Sequence, residues 1–298
     1  MKRSLALIFV GLSGVLWASS GVAVQDFFTH SEKTAMELTN IRMCVAGAIL
    51  IIMSAIRRKN FGLSLKKLNE SPKLWFDVAI YGIIGVMFMQ FTYFQGISIG
   101  GAAATTVICY TCPAMVVIWE SVYNKKFPRL GEVLAVILAM SGVFLLVTGG
   151  NPTKLLVPLG CVLWSLASGA AFAFSAIFPK HLFAKKVDAL FLTGVGMFIG
   201  GLSTFLLIEN WNWAEFFGSE VLFDVIWIII FGTVAAFLSF NAGLKFLTPE
   251  EASITVTTEP AASVVISWAV FGTKFGLIES FGIILVLLAI IAPSIVKK

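Results

Sequence analysis

Two charged side chains lie where charge is costly. Glu259 sits half-way along the stretch from Thr248 to Gly272, TPEEASITVTTEPAASVVISWAVFG, and Arg42 sits inside another long apolar run. In hydrocarbon each costs roughly 2.5–3.5 kcal/mol on insertion scales, so a membrane helix keeps such a group only with a partner, a proton or a role. Glu259 could bind a cationic group of a substrate or carry a coupling proton. Arg42 could pair with Glu259, with helix-terminal or unwound carbonyls, or with a substrate carboxylate. Pro260, directly after Glu259, removes a backbone donor and weakens the helix at that level, as expected where a helix lines a cavity.

The neighbours of Glu259 extend the same chemistry. Ala252, Thr255, Glu259, Ala262 and Ser263 recur at helical spacing and make one small, polar face, expected to border a wet cavity. Other runs offer Gln90 with Tyr93, Trp17 with Ser20 and Gly21, Trp164 with Ser168, and Phe240 with Asn241. A pocket built from these would be mostly aromatic with a few directional hydrogen-bond groups, which suits an organic substrate better than an inorganic ion. The substrate-binding candidates are therefore Trp17, Ser20, Gln90, Tyr93, Trp164, Ser168, Asn241 and Glu259. Arg42 and Glu259 are the buried charges available for coupling or an ion pair.

Signals for other chemistry are missing. His30 and His181 fall in loops, and Cys109 and Cys112 form a C-x-x-C in mid-helix without a second ligand pair, so these thiols, with Cys44 and Cys161, read as buried apolar side chains. No phosphate-binding glycine loop interrupts the runs, so no nucleotide, other cofactor or metal is expected. An intramembrane enzyme, the alternative from another class, would need paired catalytic groups on neighbouring helices, and the runs supply one Glu and one Arg. Glu120 reads as an interfacial residue within reach of water or Lys125.

The elements that must position these groups follow from composition. Of 298 residues 58% are hydrophobic and 12% charged, about half the charged share of a soluble chain. The apolar residues fall in long runs between short charged loops, which makes an all-α polytopic membrane protein. Ten transmembrane helices fit, at roughly 4–25, 34–56, 74–95, 101–123, 130–149, 156–179, 188–208, 222–245, 250–271 and 277–296. The first is read as a retained span rather than a signal peptide. In the ninth, Thr248 can cap, Pro249 suits the first turn, and Glu250 and Glu251 suit the positive end of the helix dipole. With both termini cytoplasmic, 17 of the 21 Lys and Arg residues fall inside; Lys33, Lys154 and Lys274 fall outside, and Arg42 lies within a span. The outside loop from Glu209 to Glu220 is acidic and aromatic. The net charge of +5 reflects this bias and does not point to nucleic acid.

A shift of 147 residues brings unusual residues into register: Val15-Leu16-Trp17 on Val162-Leu163-Trp164, Gly85 on Gly232, Gly96 on Gly243, Thr111 on Thr258, Pro113 on Pro260 and Glu132 on Glu279. Each unit, 1–150 and 151–298, holds five spans, so the second copy is inverted relative to the first. Two inverted five-helix repeats are the pattern of alternating-access carriers, whose binding site lies near the midplane. Pro113 and Pro260 are the expected helix breaks.

These features resemble the drug/metabolite transporter superfamily, EamA type. The resemblance rests on the five-plus-five layout, Leu16-Trp17 followed by small residues, Asn40-Ile41-Arg42, the small-residue run before Pro113, Glu259-Pro260, and small residues in the last helix of each repeat. It covers essentially the whole chain. One departure stands out: where the family carries a Gly-Glu pair after the fourth and ninth spans, this chain reads Asn124-Lys125-Lys126 and Gly272-Thr273-Lys274, so no role of that glutamate is carried over. The resemblance implies a carrier in the cytoplasmic membrane for a small organic metabolite, an amino acid or related compound, in the direction of export. It also implies that spans one, three, four, six, eight and nine surround the cavity, with five and ten peripheral. The alternative substrate is a cationic drug or quaternary amine held by aromatic rings and Glu259.

Overall fold

The computed structural model describes residues 3–56, 58–125, 127–209, 212–244, 246–247 and 249–295, and among them every regular element is helical. The expected cap at Thr248 lies outside the described residues, as do Lys2, Arg57, Lys126, Lys245, Lys297 and Lys298 of the charge count. Eight helices are long and apolar enough to cross a bilayer: α1 (Arg3–His30), α2 (Ala35–Ile56), α3 (Pro72–Gly100), α4 (Ala102–Tyr123), α5 (Leu130–Thr148), α6 (Leu159–Ala184), α7 (Ala189–Leu207) and α8 (Leu222–Gly243). Two further apolar helices follow, α9 in two pieces (Pro249–Val256 and Thr258–Phe271) and α10 (Leu277–Ile295). Apolar runs become helices here because hydrocarbon offers no partner for backbone N–H and C=O, so each segment must satisfy its own. The ninth expected run is interrupted at Thr257, and neither piece has the length of a crossing alone.

Helix pairs across the molecule hold the bundle together. α2 packs along α7, α5 along α10, α1 on α8, α3 on α6, and α4 on α9. The first two pairs meet through glycine. A Cβ at Gly47 would come within 3.0 Å of the Gly194 carbonyl oxygen, and one at Gly142 within 2.6 Å of that of Gly282. Without a hydrophobic drive between helices in lipid, such small residues gain van der Waals contact by letting backbones approach.

The interruptions of the helices recur at corresponding places. α3 widens into a π-helical stretch at Tyr81–Met87 and α8 at Trp227–Ala235, around Gly85 and Gly232. α4 breaks at Tyr110 and Thr111, just before Pro113, and α9 breaks at Thr257, just before Pro260. At the start of α5 the carboxylate of Glu132 accepts the Arg129 backbone N–H at 2.7 Å, and at the start of α10 that of Glu279 accepts the Gly276 N–H at 2.8 Å. Each of these carboxylates satisfies a donor that a helix start leaves orphaned.

At the other charged ends, Glu120 accepts from Lys180 at 2.9 Å rather than meeting Lys125, and Asp77 meets His181 at 3.0 Å. Arg3 pairs with Glu251. The acidic loop before α8 is tied down by Phe216, fully buried and stacked on Phe27 at 5.8 Å. Beside it Lys33 reaches Glu215 at 2.5 Å and Glu37 at 3.0 Å. The Lys33–Glu215 hydrogen bond holds the Glu215 carboxyl below its ordinary range and Lys33 above its own.

Candidate functional site

A cavity of about 230 Å³ lies at the middle level of the bundle. Seven helices supply its wall: Trp17 and Ser20 from α1, Arg42 from α2, Met89, Gln90 and Tyr93 from α3, Thr106, Cys109 and Tyr110 from α4, Ser168 and Phe172 from α6, Phe237 and Phe240 from α8, and Val256 and Glu259 from α9. The sequence candidates Trp17, Ser20, Arg42, Gln90, Tyr93, Ser168 and Glu259 are thus brought together. Trp164 and Asn241 are not among the lining residues. Trp164 packs edge-on against Phe91, with ring centres 5.6 Å apart, and the Asn241 amide donates to its own helix at the Phe237 carbonyl, 2.8 Å away.

Arg42 is satisfied by neutral oxygens. Its Nε donates to Thr233 Oγ1 at 2.8 Å, one terminal nitrogen to Gln90 Oε1 at 2.9 Å, and the other to the Gly232 carbonyl at 3.2 Å. Two of these acceptors belong to the π-helical stretch of α8, where the Thr233 hydroxyl itself donates five residues back to Ile228 O at 2.8 Å. The guanidinium also lies over Phe94, 5.1 Å from the ring centre. A guanidinium has five N–H donors, and these bonds use three of them, one on each nitrogen. No ion pair joins Arg42 to Glu259 among the described residues.

Glu259 sits where the two helix breaks face each other. Tyr110, at the break in α4, donates its hydroxyl to Glu259 Oε2 at 2.7 Å and lies 3.4 Å from the Val256 carbonyl in α9. Of the polar face expected around Glu259, only Glu259 itself lines the cavity. Thr255 lies against Gly11 of α1, and Ser263 donates to Thr106 Oγ1 at 3.2 Å. Thr106 Oγ1 in turn meets the Tyr93 hydroxyl at 2.7 Å. Ser168 is taken up by the Met89 carbonyl at 3.0 Å. Ser20 Oγ, in contrast, is buried in the wall with no hydrogen-bond partner. Trp17 is fixed by Phe237 and Phe240, with centroids 5.4 and 5.5 Å away.

Tyr110, Met89, Thr106, Phe172 and Phe237 are wall residues that the sequence reading did not single out. For Tyr110 a signal existed: it stands in the same register as Thr257, immediately before the paired Thr111/Thr258 and the prolines. The others look like ordinary apolar-run residues.

The sequence profile of the EamA-like transporter family matches residues 4–148 and again residues 159–294. The chain belongs to the EamA-like transporter family. An uncharacterized inner membrane transporter of Salmonella typhimurium, YicL, is 29% identical over 291 residues, covering 97% of this chain and 95% of that protein. The uncharacterized transporter YwfM of Bacillus subtilis is 24% identical over 297 residues, covering 99% and 95%. A solved structure described only as "Crystal structure of protein" superimposes with a TM-score of 0.63 over 99% of this chain and 100% of its own, at 16% identity; at that identity it speaks for the fold alone. This EamA-like transporter is therefore a multi-pass membrane protein whose central cavity carries one buried cation, one half-buried carboxylic group and a rim of aromatic rings.

Proposed function

We propose that this chain is a secondary transporter that moves a small organic metabolite across the cytoplasmic membrane by alternating access, in the direction of export. Its ten helices form two inverted five-helix repeats, 1–150 and 151–298, with both termini cytoplasmic. Support for the repeat comes from the two separate family matches, from the π-helical stretches, breaks and capping glutamates that fall 147 residues apart, and from Gly47 and Gly194. These two are partners under that shift and touch each other, as residues on a two-fold axis must. The Lys and Arg bias supports the orientation.

The observation that carries the function is the cavity wall: Arg42, Glu259 and Ser20 line one aromatic chamber, and Glu259 keeps one carboxylate oxygen beyond the bond from Tyr110. Such a chamber suits a molecule with an anionic and a cationic end, and an amino acid or related compound is the leading substrate. The ring cluster of Trp17, Phe172, Phe237 and Phe240 beside Glu259 favours a second reading, a cationic drug or quaternary amine held by cation–π contact. Purified protein screened by thermal unfolding with both classes separates them, because a ligand at a hundred times its Kd adds about 2.7 kcal/mol to the native state. Amino acids should raise the transition and then exchange in proteoliposomes. A chain stabilised by neither class, and exchanging neither, would end the proposal.

The tryptophans give a second test. Trp17→Ala should weaken binding of that ligand by about 1–3 kcal/mol through the lost aromatic wall, while Trp164→Ala should leave affinity unchanged and lower stability, by less than the 3–5 kcal/mol of a fully buried ring. Equal loss of affinity in both would remove the distinction between wall and packing.

A further inference from the structure

The packing of the two halves is unequal. Under the 147-residue register, α1 on α4 corresponds to α6 on α9, and α1 on α3 to α6 on α8. The first member of each pair is closely packed; among the described residues the second makes at most a slight contact. The packed contact lies at the end of the bundle assigned to the outside. There Gly21 of α1 faces α3 and α4 so closely that a Cβ would stand 2.8 Å from the Tyr93 hydroxyl oxygen. One turn further on, Gln25 Oε1 accepts the backbone N–H of Ala102, the first residue of α4, at 2.8 Å. Gly101, with φ of 82°, makes the bend that aims this donor.

This layer separates two spaces. Gln25 and Ala102 border an outer cavity of about 310 Å³, while Ser20, Tyr93 and Thr106 border the central one. The seal is thus about one helical turn thick. Its register counterpart on the inner side lacks both halves of the hydrogen bond. Gln25 corresponds to Phe172, and Ala102 to Pro249, which has no N–H to give.

We propose that Gln25 is the latch of the outer gate: its carboxamide, closed on the amino end of α4, holds the cavity shut to the outside, and release of that single bond opens it outward. The inference rests on the alternating-access reading above. The two gates are then chemically different. The outer one closes by a polar bond to a helix start, a bond that Phe172 and Pro249 cannot make at the inner one. Removing the latch acts on one state alone, so it must move the balance outward.

The native Cys109 is the probe, since it lines the central cavity, 3.6 Å from Ser168 Oγ. In a chain with Cys44, Cys112 and Cys161 replaced, an anionic, impermeant methanethiosulfonate is applied to intact cells and to inside-out vesicles. Labelling is scored against total thiol after denaturation. The parent should label from the cytoplasmic side. Gln25→Leu, or Gln25→Ala if the first folds poorly, should raise labelling from outside about fivefold, the size of a lost helix cap. Gln25→Glu, which keeps an acceptor for the Ala102 N–H, should not. Equal opening by Leu and Glu would overturn the latch in favour of simple packing. Gly21→Leu serves as an independent wedge. If it exposes Cys109 to the outside and Gln25→Leu does not, the latch is wrong and alternating access stands. If neither exposes it, both readings fall.

Discussion

Replacing Arg42 by Met should destabilise the protein by about 3–5 kcal/mol, the scale of losing one member of a buried charged network. The side chain volume is kept, but Gln90 Oε1, Thr233 Oγ1 and the Gly232 carbonyl lose their donors together. A buried acceptor left without a donor costs about 1–3 kcal/mol, more than the net worth of the bond it made. Arg42→Lys should fall between, because one ammonium cannot reach three acceptors that match a planar fork. Adding Thr233→Val to Arg42→Met should recover part of the loss, since removing both partners of a hydrogen bond is cheaper than removing one. Adding Glu259→Gln should recover less than Thr233→Val does, because the two residues form no direct ion pair. Unfolding in detergent measures all four. An Arg42→Met protein as stable as the parent would remove the structural role, and fuller rescue by Glu259→Gln than by Thr233→Val would restore the ion pair.

The helical layout was legible because it depends on quantities a sequence carries directly. Run length locates the eight crossing helices, and rare residues, Trp17 and Trp164, Pro113 and Pro260, set the 147-residue register. The same register points to places where helices lose regularity: the π-helical stretches surround Gly85 and Gly232, and the breaks precede the two prolines. What run length does not carry is neighbourhood. Arg42 was recognisable as a buried cation, but its partners in α8 lie 190 and 191 positions away and include a backbone carbonyl. No composition signal marks such an oxygen as an acceptor.

The wall of the cavity shows a second limit. Register treats Trp164 as the counterpart of Trp17, and Asn241 as a polar group on a wall helix. A two-fold relation makes counterparts equivalent only when both halves are in the same conformation. Here α1 packs on α4 more closely than α6 does on α9, and Trp17 faces the cavity while Trp164 packs on Phe91. Asn241 follows a different rule. In an apolar surrounding an amide takes a near acceptor, and Phe237 O, four residues back, satisfies it without a ligand. Tyr110 was overlooked for the opposite reason: a tyrosine in an apolar run looks like packing until the carboxylate that its hydroxyl meets is known.

Glu259→Gln should leave the fold within about 1 kcal/mol of the parent, because the Tyr110 hydroxyl can donate to an amide oxygen as it does to Glu259 Oε2. Its effect on transport should be far larger. The substitution removes the one carboxylic group in the cavity wall and with it the ability to gain or lose a proton there. If Glu259 carries the coupling proton, the variant should no longer accumulate substrate against a gradient when a pH difference is imposed. It should still exchange labelled for unlabelled substrate at a rate near the parent's. If Glu259 holds a cationic group of the substrate, affinity should fall about 10- to 100-fold, the worth of a hydrogen bond to a charged group, and exchange should fall with it. Tyr110→Phe separates the carboxylate from its support. It keeps the charge and removes one bond, so binding should change by less than tenfold under either role. The two roles are told apart by exchange at symmetric pH: retained for the proton carrier, lost for the cation site. A Glu259→Gln protein with the parent's affinity, exchange rate and pH response would leave the carboxylate with no part in transport.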